Sequence, residues 1–176
     1  MGKRSEFTRE RLDFYPTPKS AVVPLLRHIP KGATFCEPCA GDGALVRHLQ
    51  DAGFNCLAAY DVMPRDPSIE TNDASFLTNM DLCGADLIIT NPPWDRPVLH
   101  QIIERCATLA PTWLLFDADW MHTVQSKPHM EICRKIVSVG RVQWIENSGM
   151  SGKDNCCWYL FDAQGSFLQQ PTFYGR

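Results

Sequence analysis

The segment Asp86-Leu87-Ile88-Ile89-Thr90 is a strand-like run without polar alternation, and it ends at once on Asn91-Pro92-Pro93-Trp94. A strand that is apolar at successive positions turns apolar side chains to both faces of a sheet, so both faces must be covered. The two prolines fix the backbone and remove two N–H donors, which stops the strand there. A chain carrying such a segment is expected to place helices on both sides of a sheet.

The remaining sequence supplies those layers. Strand-like and helix-like segments alternate, the mark of an α/β fold with a mainly parallel sheet. Strands are expected at Thr34–Glu37, Phe54–Tyr60, Asp86–Thr90, Thr112–Phe116, Lys135–Val139, Arg141–Glu146 and Asn155–Phe161. Helices are expected at Lys19–Arg27, where Pro24 limits or kinks the run, and at Ala44–Ala52, Pro97–Leu109 and Pro128–Arg134. Pro64 to Asn72 is turn-rich and carries no assignment. The expected architecture is a doubly wound, mostly parallel seven-stranded sheet with an antiparallel edge hairpin. Residues 1–12 are expected to be a mobile lead, and 13–176 a single domain with no separate target-recognition domain.

Composition excludes several classes. With 44% hydrophobic and 21% charged residues, the 176-residue chain can form a real core and does not have a disordered composition. No apolar run is long enough to span a bilayer, and no apolar stretch follows the first residues as in a signal peptide. A cytoplasmic protein with reduced cysteines is expected. Most of the eight cysteines sit in apolar runs; Cys36 and Cys39 form a C-x-x-C, but no second pair or histidine cluster completes a zinc set. No metal is expected. The formal charge of −3 argues against tight non-specific binding to duplex DNA, which needs many phosphate contacts.

Two constellations carry chemistry. In the first, a short strand runs into Glu37-Pro38-Cys39-Ala40-Gly41-Asp42-Gly43 and then a helix. Small residues let the backbone approach a ligand, and the helix start offers unpaired N–H groups. Gly-Asp-Gly is also an ordinary turn, and the third glycine of a dinucleotide fingerprint is missing. Asp61, closing the second strand, adds weight, because an acid there can accept hydrogen bonds from ribose hydroxyls. It can equally be a turn-forming Asp. Together the features point to a nucleoside-bearing cofactor.

The second constellation is Asn91-Pro92-Pro93-Trp94. An exocyclic amine is a poor nucleophile because its lone pair is delocalised into the ring. The Asn91 side-chain oxygen and the Pro92 carbonyl can accept its protons as the nitrogen becomes tetrahedral, while Trp94 can stack on a flipped base. The alternative is a strand-terminating turn with a core tryptophan.

These blocks, in this order, resemble the amino-methyltransferase branch of the class I S-adenosylmethionine-dependent methyltransferases. Glu37 to Gly43 is similar to that family's cofactor loop, Asp61 to its ribose-binding acid, and Asn91 to Trp94 to its catalytic Asn/Asp-Pro-Pro-aromatic tetrapeptide. The resemblance, which covers roughly residues 13 to 161, implies a catalytic set of Asn91, Pro92, Pro93 and Trp94. It implies a cofactor set of Tyr15, Thr17, Glu37, Ala40, Gly41, Gly43, Asp61, Asp73 and Asn91. In that reading Asp13 to Pro18 closes over the methionine end of S-adenosyl-L-methionine, and Asp73 contacts the adenine amino group. The implied acceptor is an amine of nucleic acid, DNA before RNA and N6 of adenine first, with protein glutamine and a non-catalytic partner subunit as alternatives. A specificity partner or a homodimer is expected to supply selectivity, as for compact enzymes of phage or prophage type.

Other features stay open. Asp117 and Asp119 follow the Thr112–Phe116 strand and either line the cleft or belong to a surface loop. The Ser148–Asp154 loop touches an acceptor through Lys153 or merely joins strands. Trp113, Trp144 and Trp158 are expected in the core, and His122 and His129 on the surface.

Overall fold

The computed structural model describes residues 14–144, 152–165 and 170–176. Residues 1–13, which include Asp13 and the expected N-terminal lead, lie outside the described residues, as does the 148–151 part of the late loop. The elements are α1 (Lys19–Leu26), β1 (Thr34–Glu37), α2 (Ala44–Asp51), β2 (Asn55–Asp61), β3 (Glu70–Thr71), β4 (Leu87–Thr90), α3 (Arg96–Leu109), β5 (Thr112–Asp117), α4 (Lys127–Met130), β6 (Cys133–Arg141), β7 (Asn155–Phe161) and β8 (Thr172–Tyr174). They build one eight-stranded sheet in the order β3-β2-β1-β4-β5-β7-β6-β8. β1, β2, β3, β4 and β5 are mutually parallel, and β7 lies antiparallel between β5 and β6.

The expected fold class holds, with local differences. The strand expected at Lys135–Val139 runs on through Gly140, which sits with φ 82° at an irregularity of the pairing, and ends at Arg141, whereas 142–144 of the strand expected at Arg141–Glu146 lie outside the sheet and 145–146 outside the described residues. Two short strands add to the expected set. β3 lengthens one edge, and β8 pairs in parallel with β6, so the β6–β7 hairpin is not the edge itself. The helix expected over 128–134 closes after a single turn at Met130, since Cys133 onward is taken into β6. α1 runs through Pro24 and stops at Leu26.

The central strands explain the sequence pattern. Leu87, Ile89, Trp113 and Leu115 face one core layer, with Val22 and Leu25 of α1 and Leu45 and Leu49 of α2. Ile88, Leu114 and Phe116 face the other, with Leu99, Ile102, Ile103 and Cys106 of α3. Adjacent residues thus serve opposite layers, and each fully buried large side chain contributes about 1.5–3 kcal/mol. The indole of Trp158 reaches across the first layer and donates to the Ala21 carbonyl at 2.8 Å, fixing α1 on the sheet.

Candidate active site

The order of strands reverses between β1 and β4, the place where open α/β sheets leave a crevice at their carboxyl ends. A cavity of about 580 Å³ opens there, lined by residues from every block singled out in the sequence. Tyr15, Thr17, Glu37, Ala40, Gly41, Asp61, Asp73, Asn91 and Pro93 share its wall. Gly43, Pro92 and Trp94 lie off it. Gly43 instead caps α2 with φ 76°, and Pro92 is buried behind the turn.

The loop after β1 is tied to the tip of β2. Gly41 N–H donates to Asp61 Oδ2 at 2.8 Å, and Met63 N–H donates to Asp61 Oδ1 at 2.8 Å. Asp61 therefore does turn-forming work and still faces the cavity, and each oxygen keeps a second lone pair for a ligand. Gly41 has φ 56°, and a Cβ added there would lie 2.6 Å from the Phe14 ring. The Arg65 guanidinium covers that ring at 3.4 Å from its centroid. The segment leading into α1 is thereby held over the cofactor loop, a contact that sequence patterning does not signal.

Glu37 is the electrostatic anomaly of the cavity. It is 1% exposed, yet its Oε2 has no hydrogen-bond partner. Burial first, then the Asp61 and Asp42 charges, hold its carboxyl well above the usual range, with a backbone hydrogen bond from Val46 opposing. An unpartnered buried acceptor on a cavity wall suits a cationic donor on a ligand. Asp73 has a structural duty as well: it accepts from Ser75 N–H at 2.8 Å and caps the 3-10 turn that carries Phe76, whose ring lines the cavity although 76% exposed.

At the other end stands Asn91. Its Nδ2 donates to Thr17 Oγ1 at 3.2 Å, and its Oδ1 accepts from Trp94 Nε1 at 3.4 Å. Trp94 Nε1 also donates to the Leu115 carbonyl at 3.2 Å, which pins the indole beside the cavity. Trp144 packs edge-on against it, with centroids 5.7 Å apart, and Tyr15 lies 6.4 Å from Trp144. Trp113 and Trp158 are core residues as expected, at 1% and 0% exposure. Trp144 departs from that expectation: it lies half-buried in this aromatic group because the chain leaves the sheet after Arg141 and carries it to the carboxyl edge.

Two further side chains differ from expectation. His129 is buried, not exposed, its ring centroid 4.5 Å from that of His100 with the planes tilted by 37° and its ring close to Trp120, whereas His122 is exposed. Asp117 pairs with Arg96 at 2.6 Å, while Asp119 is exposed. Lys153 is exposed. Among the described residues no group of three potential metal ligands occurs, and burial raises the thiols of Cys36 and Cys39 above the ordinary cysteine range. No helix among them is long and apolar enough to cross a membrane.

The fold is that of the class I S-adenosylmethionine-dependent methyltransferases. A Listeria monocytogenes protein assigned to that class superposes with a TM-score of 0.57 at 13% identity, over 90% of this chain and 65% of its own. The M protein of the type I restriction enzyme EcoKI gives 0.53 at 11% identity, over 92% of this chain and 48% of its own. The 23S rRNA methyltransferase ErmE gives 0.52 at 12% identity, over 89% of this chain and 72% of its own. The chain thus spans less than two thirds of the first two structures. No protein-family model matches the sequence, and no curated protein does.

Proposed function

We propose that this chain is an S-adenosyl-L-methionine-dependent N-methyltransferase that acts in the cytoplasm on an exocyclic amine, with N6 of adenine in DNA as its preferred acceptor. One observation carries the reading. The Asn91 carboxamide, oriented by Thr17 and Trp94, stands on the same cavity wall as Gly41, Asp61 and Glu37, whose Oε2 has no hydrogen-bond partner. The cavity volume falls within the roughly 300–1,000 Å³ typical of small-molecule sites.

The residues present fit the cofactor. Glu37 Oε2 is a buried acceptor that matches a ligand ammonium, and Asp61 and Asp73 are carboxylates on the wall for ribose hydroxyls and an adenine amine. Phe76 adds an exposed aromatic face for the adenine ring. Bound there, the cofactor supplies an activated sulfonium methyl group, so the protein needs no covalent nucleophile. Asn91 Oδ1 keeps one lone pair beyond its bond from Trp94 for a proton of the acceptor amine, and the Pro92 carbonyl, whose residue lies off the cavity wall, is the second acceptor that the family resemblance implies. These acceptors hold the nitrogen in line and stabilise the positive charge that builds on it. Tyr15, Trp94 and Trp144 favour a planar acceptor such as an unstacked base. Sequence selectivity would come from a partner subunit or a second copy of the chain.

The test is methyl transfer from radiolabelled S-adenosylmethionine to unmethylated DNA, total RNA and cell protein in parallel, with digestion to identify the product. The expected result is N6-methyladenine in DNA, and a loss of at least about 10²-fold in turnover for Asn91→Ala with cofactor affinity within about twofold. Label in RNA or protein alone overturns the acceptor, and unchanged turnover in Asn91→Ala overturns the role of Asn91.

A further inference from the structure

β4 and β5 run in parallel with Thr90 beside Leu114, and the ladder ends there because Pro92 and Pro93 bring no N–H groups. The turn that carries Asn91 therefore leaves the sheet without main-chain bonds to its neighbour. Two side chains continue the connection, spaced two residues apart along the turn into α3 and two apart along β5. Trp94 Nε1 donates to the Leu115 carbonyl at 3.2 Å, and Arg96 Nη2 donates to Asp117 Oδ2 at 2.6 Å.

Arg96 is placed against local preference. It is the first residue of α3, and a cation at a helix N-terminus opposes the helix dipole. Its Nη1 is buried and has no partner, a further cost. Asp117 compensates from β5, and its other oxygen is already engaged, accepting from Trp120 N–H at 2.8 Å. The side chains are 32% and 14% exposed, so the pair is shielded enough to hold one geometry. Residues that break a local rule mark places where something else is being optimised.

We infer that the Arg96–Asp117 pair is a positioning device that sets the height of the Asn91–Trp94 turn against β5, and so the placement of the Asn91 carboxamide toward the acceptor amine. This rests on the N-methyltransferase reading for its kinetic consequence but not for its structural one. Arg96 does not line the cavity, so it acts through Trp94 and Asn91. A displacement near 1 Å at such a group costs on the order of 10²-fold in rate.

The test uses Arg96→Met, which keeps the aliphatic stem, and Arg96→Lys, which keeps the charge without the planar fork. Hydrogen exchange of the Trp94 indole N–H is the structural readout, with the Trp158 indole as internal control. Arg96→Met is expected to speed Trp94 exchange by about tenfold or more while Trp158 is unchanged, and to lower kcat by about 10–100-fold with cofactor Kd and acceptor KM within about twofold. Arg96→Lys is expected to fall between. The Arg96→Met/Asp117→Asn double variant should show the same kcat loss; recovery there would blame the stranded carboxylate and overturn the inference. Unchanged Trp94 exchange overturns it as well. A raised acceptor KM with unchanged kcat, and a salt slope reduced by about one, would make Arg96 a phosphate contact instead. If the wild-type chain transfers no methyl group to any acceptor, the functional reading falls while the exchange result still decides the positioning role.

Discussion

Glu37 is a carboxyl group whose environment is costly until something cationic arrives. Because its folded-state pKa is raised above the ordinary 4.5, the folded chain holds a proton that the unfolded chain has released. Stability therefore falls as pH rises from the ordinary glutamate value toward the folded-state value. Glu37→Gln removes that penalty, so chemical denaturation of the unliganded variant at pH 7 should give a higher midpoint than wild type, with a flatter pH dependence. On the proposed cofactor placement the same change deletes an acceptor for the ligand ammonium, a charge-assisted bond worth about 1.5–3 kcal/mol, so titration calorimetry should show cofactor binding weaker by at least about tenfold. In the wild type, affinity should rise as pH climbs above the ordinary glutamate value toward the raised folded-state value, because binding favours the ionised carboxylate. A variant that binds as tightly as wild type would remove Glu37 from the cofactor site. That Glu37, Asp61 and Asn91 share one cavity wall was legible in the sequence because Glu37 and Asp61 end strands, Asn91 follows one, and parallel strands carry their ends to one edge. Arg96 and Trp144 were not. Their roles depend on partners 21 and 50 residues away, Asp117 and Trp94, which no local pattern encodes.

At the scale of elements, the site is assembled by a short extended segment folding back on a loop. Phe14 lies on the bare face of Gly41, Arg65 lies on Phe14, and Arg65 N–H donates to the Gly41 carbonyl at 2.8 Å. Gly41→Ala tests this layer twice over. The left-handed backbone costs about 1–2 kcal/mol for a residue with a Cβ, and that atom would meet the ring at 2.6 Å. The expected outcome is a stability loss of that size by urea denaturation, together with faster proteolysis before α1 and weaker cofactor binding. Unaltered proteolysis would mean that the segment is held by other contacts. The central elements could be read from the sequence because long apolar runs and an amphipathic helix follow periodicities that local residues impose. β3 and β8, of two and three residues, are too short to have a period, and pairing with a neighbour alone creates them. Gly140 resembled a break for the same reason: a bulge inside a strand and a turn between strands both use a glycine with positive φ.

For the whole molecule, charge decides how a nucleic acid can be held. With 17 basic and 20 acidic residues, the chain has no excess of cations to spread along a phosphate backbone. Binding should involve few phosphates, so a plot of log K against log salt for single-stranded DNA should have a slope of about −2 or shallower, corresponding to about three contacts or fewer. The consequence reaches the chemistry. Extracting an adenine from a duplex costs a few kcal/mol of stacking and pairing, and few phosphate contacts leave little to offset it. The aromatic group of Tyr15, Trp94 and Trp144 can compensate through stacking, worth about 1–3 kcal/mol per base, but only once the base is already out. If the acceptor is DNA adenine, as proposed, unpaired or mismatched adenines should therefore be methylated about tenfold or more faster than the same adenines in a matched duplex at equal salt. Trp144→Ala should reduce the rate on both substrates by a similar factor, since both reach the same pocket. A duplex preference with a salt slope near −6 would mean instead that a basic surface is assembled around the site, from locally clustered cations of this chain such as those crowded near its start in sequence, from a second copy of the chain or from a partner subunit.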